Sequence, residues 1–223
     1  MTSKVVESIH ELKTKLESLN TDPENPIVVI NNDWNKLVEP IKLIIVGDNP
    51  GEKEKKCGVY FHREGQAGSR ARKFAREYLN INEKGKLHNV VFMNKCPIYS
   101  KNTSSLKVSD DPESDFRKSL CLIVSALEKL SETKGLPILI TGISSNKLNR
   151  RFYKELFQIE KWEEKFLFSK HFSYNNFHNQ WNECKMNPNE KKIKCISNQT
   201  LEILKHRFSS KLKHPICKEI IQK

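Results

Sequence analysis

The sequence predicts an α/β fold in which four parallel strands form one doubly wound sheet. Three observations predict it. Short apolar runs alternate with longer stretches of helical periodicity, in the order strand, helix, strand, helix, strand, helix, strand. The first run, Leu43-Ile44-Ile45-Val46, has no polar residue to mark a solvent face, as expected of a strand buried on both sides. A polar, turn-forming cluster follows each run, at 47–51, 94–102, 142–146 and 171–176. In a parallel sheet these clusters share one edge, where open α/β sheets bind ligands.

In chain order, Val5, Ile9, Leu12, Leu16 and Leu19 recur at helical spacing and predict an amphipathic helix over 3–20. Residues 27–30 read as a short extended segment, and 31–40 as a loop carrying Trp34. The first strand spans 42–47. An irregular excursion over 52–69 contains Gly58-Val59-Tyr60-Phe61. A helix over 69–79 turns Phe74, Tyr78 and Leu79 inward, and the second strand spans 89–94. The polar stretch 97–115 is a surface loop. The next helix, 113–132, lines up Phe116, Leu120, Ile123, Val124, Leu127 and Leu130. The third strand, 137–141, ends in Gly142, and Ser144, Ser145 or Asn146 caps a helix running to 157. The fourth strand spans 165–169, and one further helix is expected at 199–208. With no repeat, heptad array or linker, 1–223 reads as a single domain. It divides into an N-terminal helix and loop (1–40), a core (41–176) and a C-terminal helical extension (177–223).

Apolar residues make up 37% and charged residues 30%. The longest apolar runs, 43–46 and 136–140, are far too short to span a bilayer, and no membrane partner is expected. The first 20 residues lack a continuous apolar core, so no signal peptide is expected. The six cysteines are scattered, with no C-x-x-C and no tight Cys/His pairing. That argues against a zinc or iron–sulfur site and suits a reducing compartment, cytoplasm or nucleus. No metal or cofactor and a monomeric state are expected. The net charge of +12 and pI near 9.4 fit a polyanionic partner, above all nucleic acid. Richness in lysine, asparagine and isoleucine reaches the same charge through composition alone.

The stretch Gly47-Asp48-Asn49-Pro50-Gly51 is the centre of the reading. Proline fixes its own φ and pushes Asn49 toward an extended backbone, and the glycines permit sharp turning and close approach. Such a turn presents Asp48 and Asn49 rigidly at a strand's carboxyl end. An ordinary strand-to-loop turn has the same composition.

Read together, these clusters resemble the uracil-DNA glycosylase superfamily. Gly47-Asp48-Asn49-Pro50-Gly51 is similar to the first motif, G-x-N-P-G, of its mismatch-specific and single-strand-selective monofunctional branches. Met93-Asn94-Lys95-Cys96-Pro97-Ile98 is similar to H-N-x-C-P-L of the latter branch, and Gly58-Val59-Tyr60-Phe61 to its G-V-P-F. His171-Phe172-Ser173-Tyr174-Asn175-Asn176 keeps the His, Ser and final Asn of its last motif, H-P-S-P-R-N. The order and approximate spacing hold across 43–176. Phe172 replaces a proline, Asn175 an arginine, and Asp48 an apolar residue. The iron–sulfur branch is similar through Gly65-Gln66-Ala67-Gly68 and Lys95-Cys96-Pro97, but its cluster cysteines are missing.

The resemblance implies a three-layer α/β/α sandwich around a central four-stranded parallel sheet. It implies hydrolysis of the N-glycosidic bond of uracil, or of 5-hydroxymethyluracil, in DNA during base-excision repair. The residues suit that chemistry. Asn49 can orient a water, though a carboxamide is no base. His171 can donate to uracil O2 as charge develops there. Asn94 offers a donor and an acceptor matching O4 and N3–H, and Phe61 a stacking surface for an extruded base. Gly47, Pro50 and Gly51 shape the pocket. In the branch most restricted to uracil, a tyrosine stands where this chain has Gly51. Ser69, Arg70, Ser144, Ser145, Ser173, Tyr174 and Asn175 are candidate DNA contacts. Each residue also has a plainer role: Asn49 in a turn, Asn94 at a strand end, Phe61 in the core, the basic residues on solvated helix faces. Asp48 either assists the water as a base or pairs with a lysine. Lys95 is expected to point away from Asn94 on an extended strand. Two other functions compete: a non-catalytic nucleic-acid-binding relative, and an unrelated α/β enzyme binding a phosphorylated small molecule. The lack of a G-x-G-x-x-G or Walker-type loop lowers the last.

Overall fold

The computed structural model describes residues 4–20, 28–82, 85–173, 176–184, 186 and 188–208. Tyr174 and Asn175 lie outside them. The fold is α/β with four parallel strands: β1 (Leu43–Gly47), β2 (Val90–Asn94), β3 (Ile138–Thr141) and β4 (Leu167–Ser169). Their spatial order is β2-β1-β3-β4. All five residues of β1 are buried, as its unbroken apolar run requires.

The helices are α1 (Lys4–Glu17), α2 (Glu52–Cys57), α3 (Gln66–Leu79), α4 (Asp115–Ser131), α5 (Lys147–Leu156), α6 (Trp162–Lys165), α7 (Asn176–Glu183) and α8 (Asn189–Phe208). The chain steps from β1 to β2 in one direction and from β2 over β1 to β3 in the other. Right-handed crossovers therefore place α3 on one face and α4 and α5 on the opposite face. The contacts agree. The helix α4 packs against α1 and α5, while Phe74 of α3 meets Phe177 and Trp181 of α7, with ring centroids 4.8 and 5.0 Å apart. The result is the expected three-layer sandwich, its buried apolar residues forming one cluster. Among the described residues no helix is long and apolar enough to cross a membrane.

Several elements differ from the sequence reading. The excursion after β1 contains α2, begun by Gly51 and stabilised where the Glu54 carboxylate reaches back to the Gly51 N–H at 2.6 Å. The helix α3 starts at Gln66, so Ser69 lies inside its first turn with its N–H bonded to the Gly65 carbonyl. Residues 32–36 form a 3₁₀ turn that buries Trp34, capped by Asn31. Lys165 ends α6 instead of opening β4. The final helix is twice as long as expected, because its inner face includes Ser197 and Thr200, which mask an apolar period.

Candidate active site

Parallel pairing brings the site together. Gly47 is the register partner of Asn94, and Thr141 of Ser169, so the clusters after all four strands meet at one edge. The ladder continues past the strand ends: Lys95 N–H bonds the Gly47 carbonyl at 2.8 Å and Cys96 N–H bonds that of Asp48 at 3.1 Å. The strand order reverses between β1 and β3, and Asp48 stands at that switch point against Gly142. A Cβ on Gly142 would lie 2.7 Å from Asp48 Oδ1, and the Gly142 φ is +83°. Glycine is needed there both for the backbone and for the carboxylate's space.

Three of the candidate residues form one wall. Asn94 is 2% exposed, and its Nδ2 has no hydrogen-bond partner. Its Oδ1 lies 3.0 Å from where a Gly47 Cβ would be, and the Phe61 ring comes within 2.5 Å of the same point. Phe61 is also a core residue, 4% exposed, with Phe92 at 5.4 Å and Phe172 edge-on at 6.3 Å. Its φ is +51°, rare for a bulky side chain. The backbone is braced there by Glu54, which accepts the Phe61 N–H on Oε1, and by Arg72, whose Nε donates to the Phe61 carbonyl at 2.8 Å. One carboxylate thus holds both Gly51 and Phe61. Burial, opposed by those two N–H bonds and Arg72, raises the Glu54 carboxyl above its ordinary value.

Asn49 is committed to the loop after β2. Its Oδ1 accepts from Thr103 Oγ1 at 2.7 Å, and its Nδ2 donates to Ser100 Oγ and the Pro50 carbonyl, both at 3.2 Å. Pro50 is buried beneath it. His171 Nδ1 accepts the Ser173 N–H at 3.1 Å and lies 2.7 Å from Ser173 Oγ. The ring proton of a neutral His171 therefore sits on Nε2, a donor. Burial lowers the His171 pKa; the Asp48 charge opposes this and that of Lys95 adds to it. The ring is neutral at pH 7.

Lys95 points away from Asn94, as expected: Asn94 faces the Phe61 ring on the α3 side of the sheet, while the Lys95 ammonium reaches Asn149 on α5 at the opposite face. Its ammonium turns beneath the first motif and is 0% exposed. It donates to Asp48 Oδ1 and the Gly142 carbonyl, both at 2.8 Å, and to Asn149 Oδ1 at 2.5 Å. The ladder continues through the Lys95 N–H, so the alternation of an extended strand still holds at this residue and sends its side chain to the face opposite Asn94. Three acceptors require the charged form, although burial lowers the Lys95 pKa against the pull of Asp48. Burial alone would raise the Asp48 carboxyl; Lys95, His171 and the hydrogen bonds from Lys95 and Asn149 bring it below the ordinary value. Asp48 therefore does pair with a lysine, and it keeps 13% of its side chain exposed.

The candidate DNA contacts are less uniform. Arg70 donates to the Phe172 carbonyl at 3.2 Å and so supports the last motif. Ser144 is exposed, and its Oγ accepts from Asn146 and Asn149, both at 2.9 Å. Ser145 and Ser69 are exposed, and Ser173 serves His171. Beside the loop holding Ser144 and Ser145, a groove of about 470 Å³ is lined by Lys147, Arg150, Arg151 and Lys154 with Val108, Asp110 and Phe208. Sequence reasoning missed Glu54, Thr103, Gly142, Lys95 and Asn149 as members of the site. Adjacency to Asn94 was the one signal for Lys95, and Asn149 gave none. No protein-family model matches this chain, and no curated protein matches it.

Proposed function

We propose that the chain is a monofunctional DNA glycosylase that hydrolyses the N-glycosidic bond of uracil or a closely related base. The observation that carries this is the unpartnered Asn94 Nδ2, buried beside Gly47 and the Phe61 ring. A buried donor without an acceptor costs stability, so it calls for a partner such as a water or a ligand. A uracil O4 is such an acceptor, and the Asn94 Oδ1 would take N3–H; cytosine presents the opposite pattern. Extrusion of the base from the stack brings it to this wall.

In this reading the C1′–N1 bond breaks and its electron pair leaves with the base. The neutral His171 Nε2–H stabilises the charge that develops on O2. A water oriented by Asn49 and Asp48 attacks C1′, and proximity supplies much of the acceleration. Basic groups around the rim, including the groove along α5, suit a phosphate backbone. The coupling of Asn49 to Ser100 and Thr103 favours a second reading, a nucleic-acid-binding relative that does not cut, because it occupies the water-orienting amide.

One assay separates them. A labelled oligonucleotide containing a single uracil is incubated with the protein and then treated with alkali. Cleavage at the uracil supports the glycosylase. Retention of the oligonucleotide in a mobility shift without any abasic product supports the binder.

A further inference from the structure

Lys95 is the charged group at this site that the chemistry above leaves idle. Its three acceptors come from three places in the fold: the turn after β1, the turn after β3, and α5. Two of them are held in turn. The Gly142 carbonyl also accepts the Tyr153 hydroxyl at 2.7 Å, and Asn149 donates through Nδ2 to Ser144 while its N–H bonds Asn146 Oδ1 at 2.8 Å. Buried ion pairs of this kind contribute little net stability against apolar replacements, so stability does not explain this one well.

We propose that Lys95 is a positioning residue for hydrolysis: it holds Asp48 ionised in one orientation, leaving Oδ2 to take the proton of the attacking water. This rests on the glycosylase reading. The water oxygen bonds to C1′ as the C1′–N1 electron pair leaves with the base, and the water proton passes to Asp48 Oδ2. Lys95 binds Oδ1, the oxygen against which Gly142 leaves room for no side chain. Asn49 then orients the water without accepting its proton, which a carboxamide cannot do. The titratable groups that face Asp48 are Lys95 after β2, His171 after β4, and Tyr153 on α5, and Asn149 on α5 also hydrogen-bonds it. His171 is neutral, and burial keeps the Tyr153 hydroxyl protonated. Lys95 alone of the three carries a full charge at neutral pH.

The test compares wild type, Lys95→Met, Asp48→Asn and the double variant in single-turnover excision of uracil across pH. The Asp48 carboxyl is titrated in parallel by NMR on protein labelled at aspartate. In Lys95→Met the rate should fall on the order of a hundredfold, and the acid limb of the profile should move to higher pH together with the Asp48 titration. Adding Lys95→Met to Asp48→Asn should change the rate by less than about threefold, because the two act as one unit. If Lys95→Met does not fold, Lys95→Gln keeps a donor, removes the charge, and should shift both curves the same way. An active wild type whose Asp48 titration ignores the lysine substitution overturns the role of Lys95 alone. A wild type that binds uracil-containing DNA without excising overturns the glycosylase reading, and this role with it.

Discussion

The edge of the Phe61 ring stands where a side chain on Gly47 would begin, 2.5 Å from that Cβ position. The aromatic wall and the end of β1 are therefore fitted to each other, and Asn94 Oδ1 lies 3.0 Å from the same point. Gly47→Ala would force the Phe61 ring and the Asn94 amide to move. Overpacking of this kind costs about 1–3 kcal/mol. Urea unfolding should show that loss, and excision of uracil should fall further than the binding of uracil-containing DNA. A variant with unchanged stability and rate would mean that Phe61 yields freely.

Glu54 gives a prediction with a pH sign. Its carboxyl is raised chiefly by burial, against the N–H bonds from Gly51 and Phe61. A raised folded value means that its contribution to stability is fully present below the unfolded pKa and is lost as pH rises through the folded one. Wild type should therefore gain stability relative to Glu54→Gln as pH is lowered from 7 toward the ordinary carboxylate range. Glu54→Ala leaves both N–H groups without their acceptor, at roughly 1–3 kcal/mol for each that water does not reach. Urea midpoints of the three proteins at several pH values test both statements. Parallel midpoints for wild type and Glu54→Gln at every pH would remove the titration argument.

Asn49→Ala should cut single-turnover excision on the order of a hundredfold while DNA affinity changes little, because placing a water acts in the transition state. Thr103→Val should have a smaller effect, since it only frees the carbonyl that Thr103 now holds. Equal losses in the two variants would assign Asn49 to loop anchoring instead.

Lys95 lies beneath the first motif, yet it should form no Schiff base with an abasic sugar. Its ammonium is fully buried and engaged by three acceptors, whereas a nucleophilic lysine must be neutral and within reach. Borohydride added during turnover should trap no protein–DNA adduct, and the product should be an intact abasic site. A trapped adduct that disappears in Lys95→Met would reverse this.

Gly51 bears on tolerance at uracil C5. A Cβ there would meet Glu54 Oε2 at 3.6 Å, an ordinary contact, so a side chain is sterically admissible. In the glycosylase reading, glycine leaves room beside C5 for a small polar group that would replace a water and keep its hydrogen bonds. Removal of 5-hydroxymethyluracil should match uracil in rate, and thymine should be far slower, since a methyl leaves polar groups unpaired at roughly 1–3 kcal/mol. Gly51→Tyr should exclude the hydroxymethyl base. Three oligonucleotides differing only in the target base decide it.

The strands and their shared edge were legible because burial on both faces leaves an unbroken apolar signature, as in β1. Turn chemistry placed Gly47, Asp48 and Asn49, and the strand register then set Gly47 against Asn94. The Lys95 and Glu54 contacts were not legible. A lysine that is 0% exposed looks in sequence like any of the chain's surface lysines, and its acceptors Gly142 and Asn149 come from segments roughly fifty residues away. Glu54 was obscured because α2 is only six residues long, too short for a periodic signal. The full length of α8 was hidden by Ser197 and Thr200 on its inner face.

Ser197 has a consequence of its own. Its hydroxyl accepts the Phe168 N–H of β4 at 2.9 Å, and Gln180 on α7 accepts the Lys170 N–H at 3.2 Å. The three-residue edge strand that carries His171 is therefore splinted from outside by side chains of the two closing helices. A chain cut before α7 would retain the first two motifs intact and still lose the footing of its histidine. Any shortened version made for crystallisation or fusion should keep everything through Phe208.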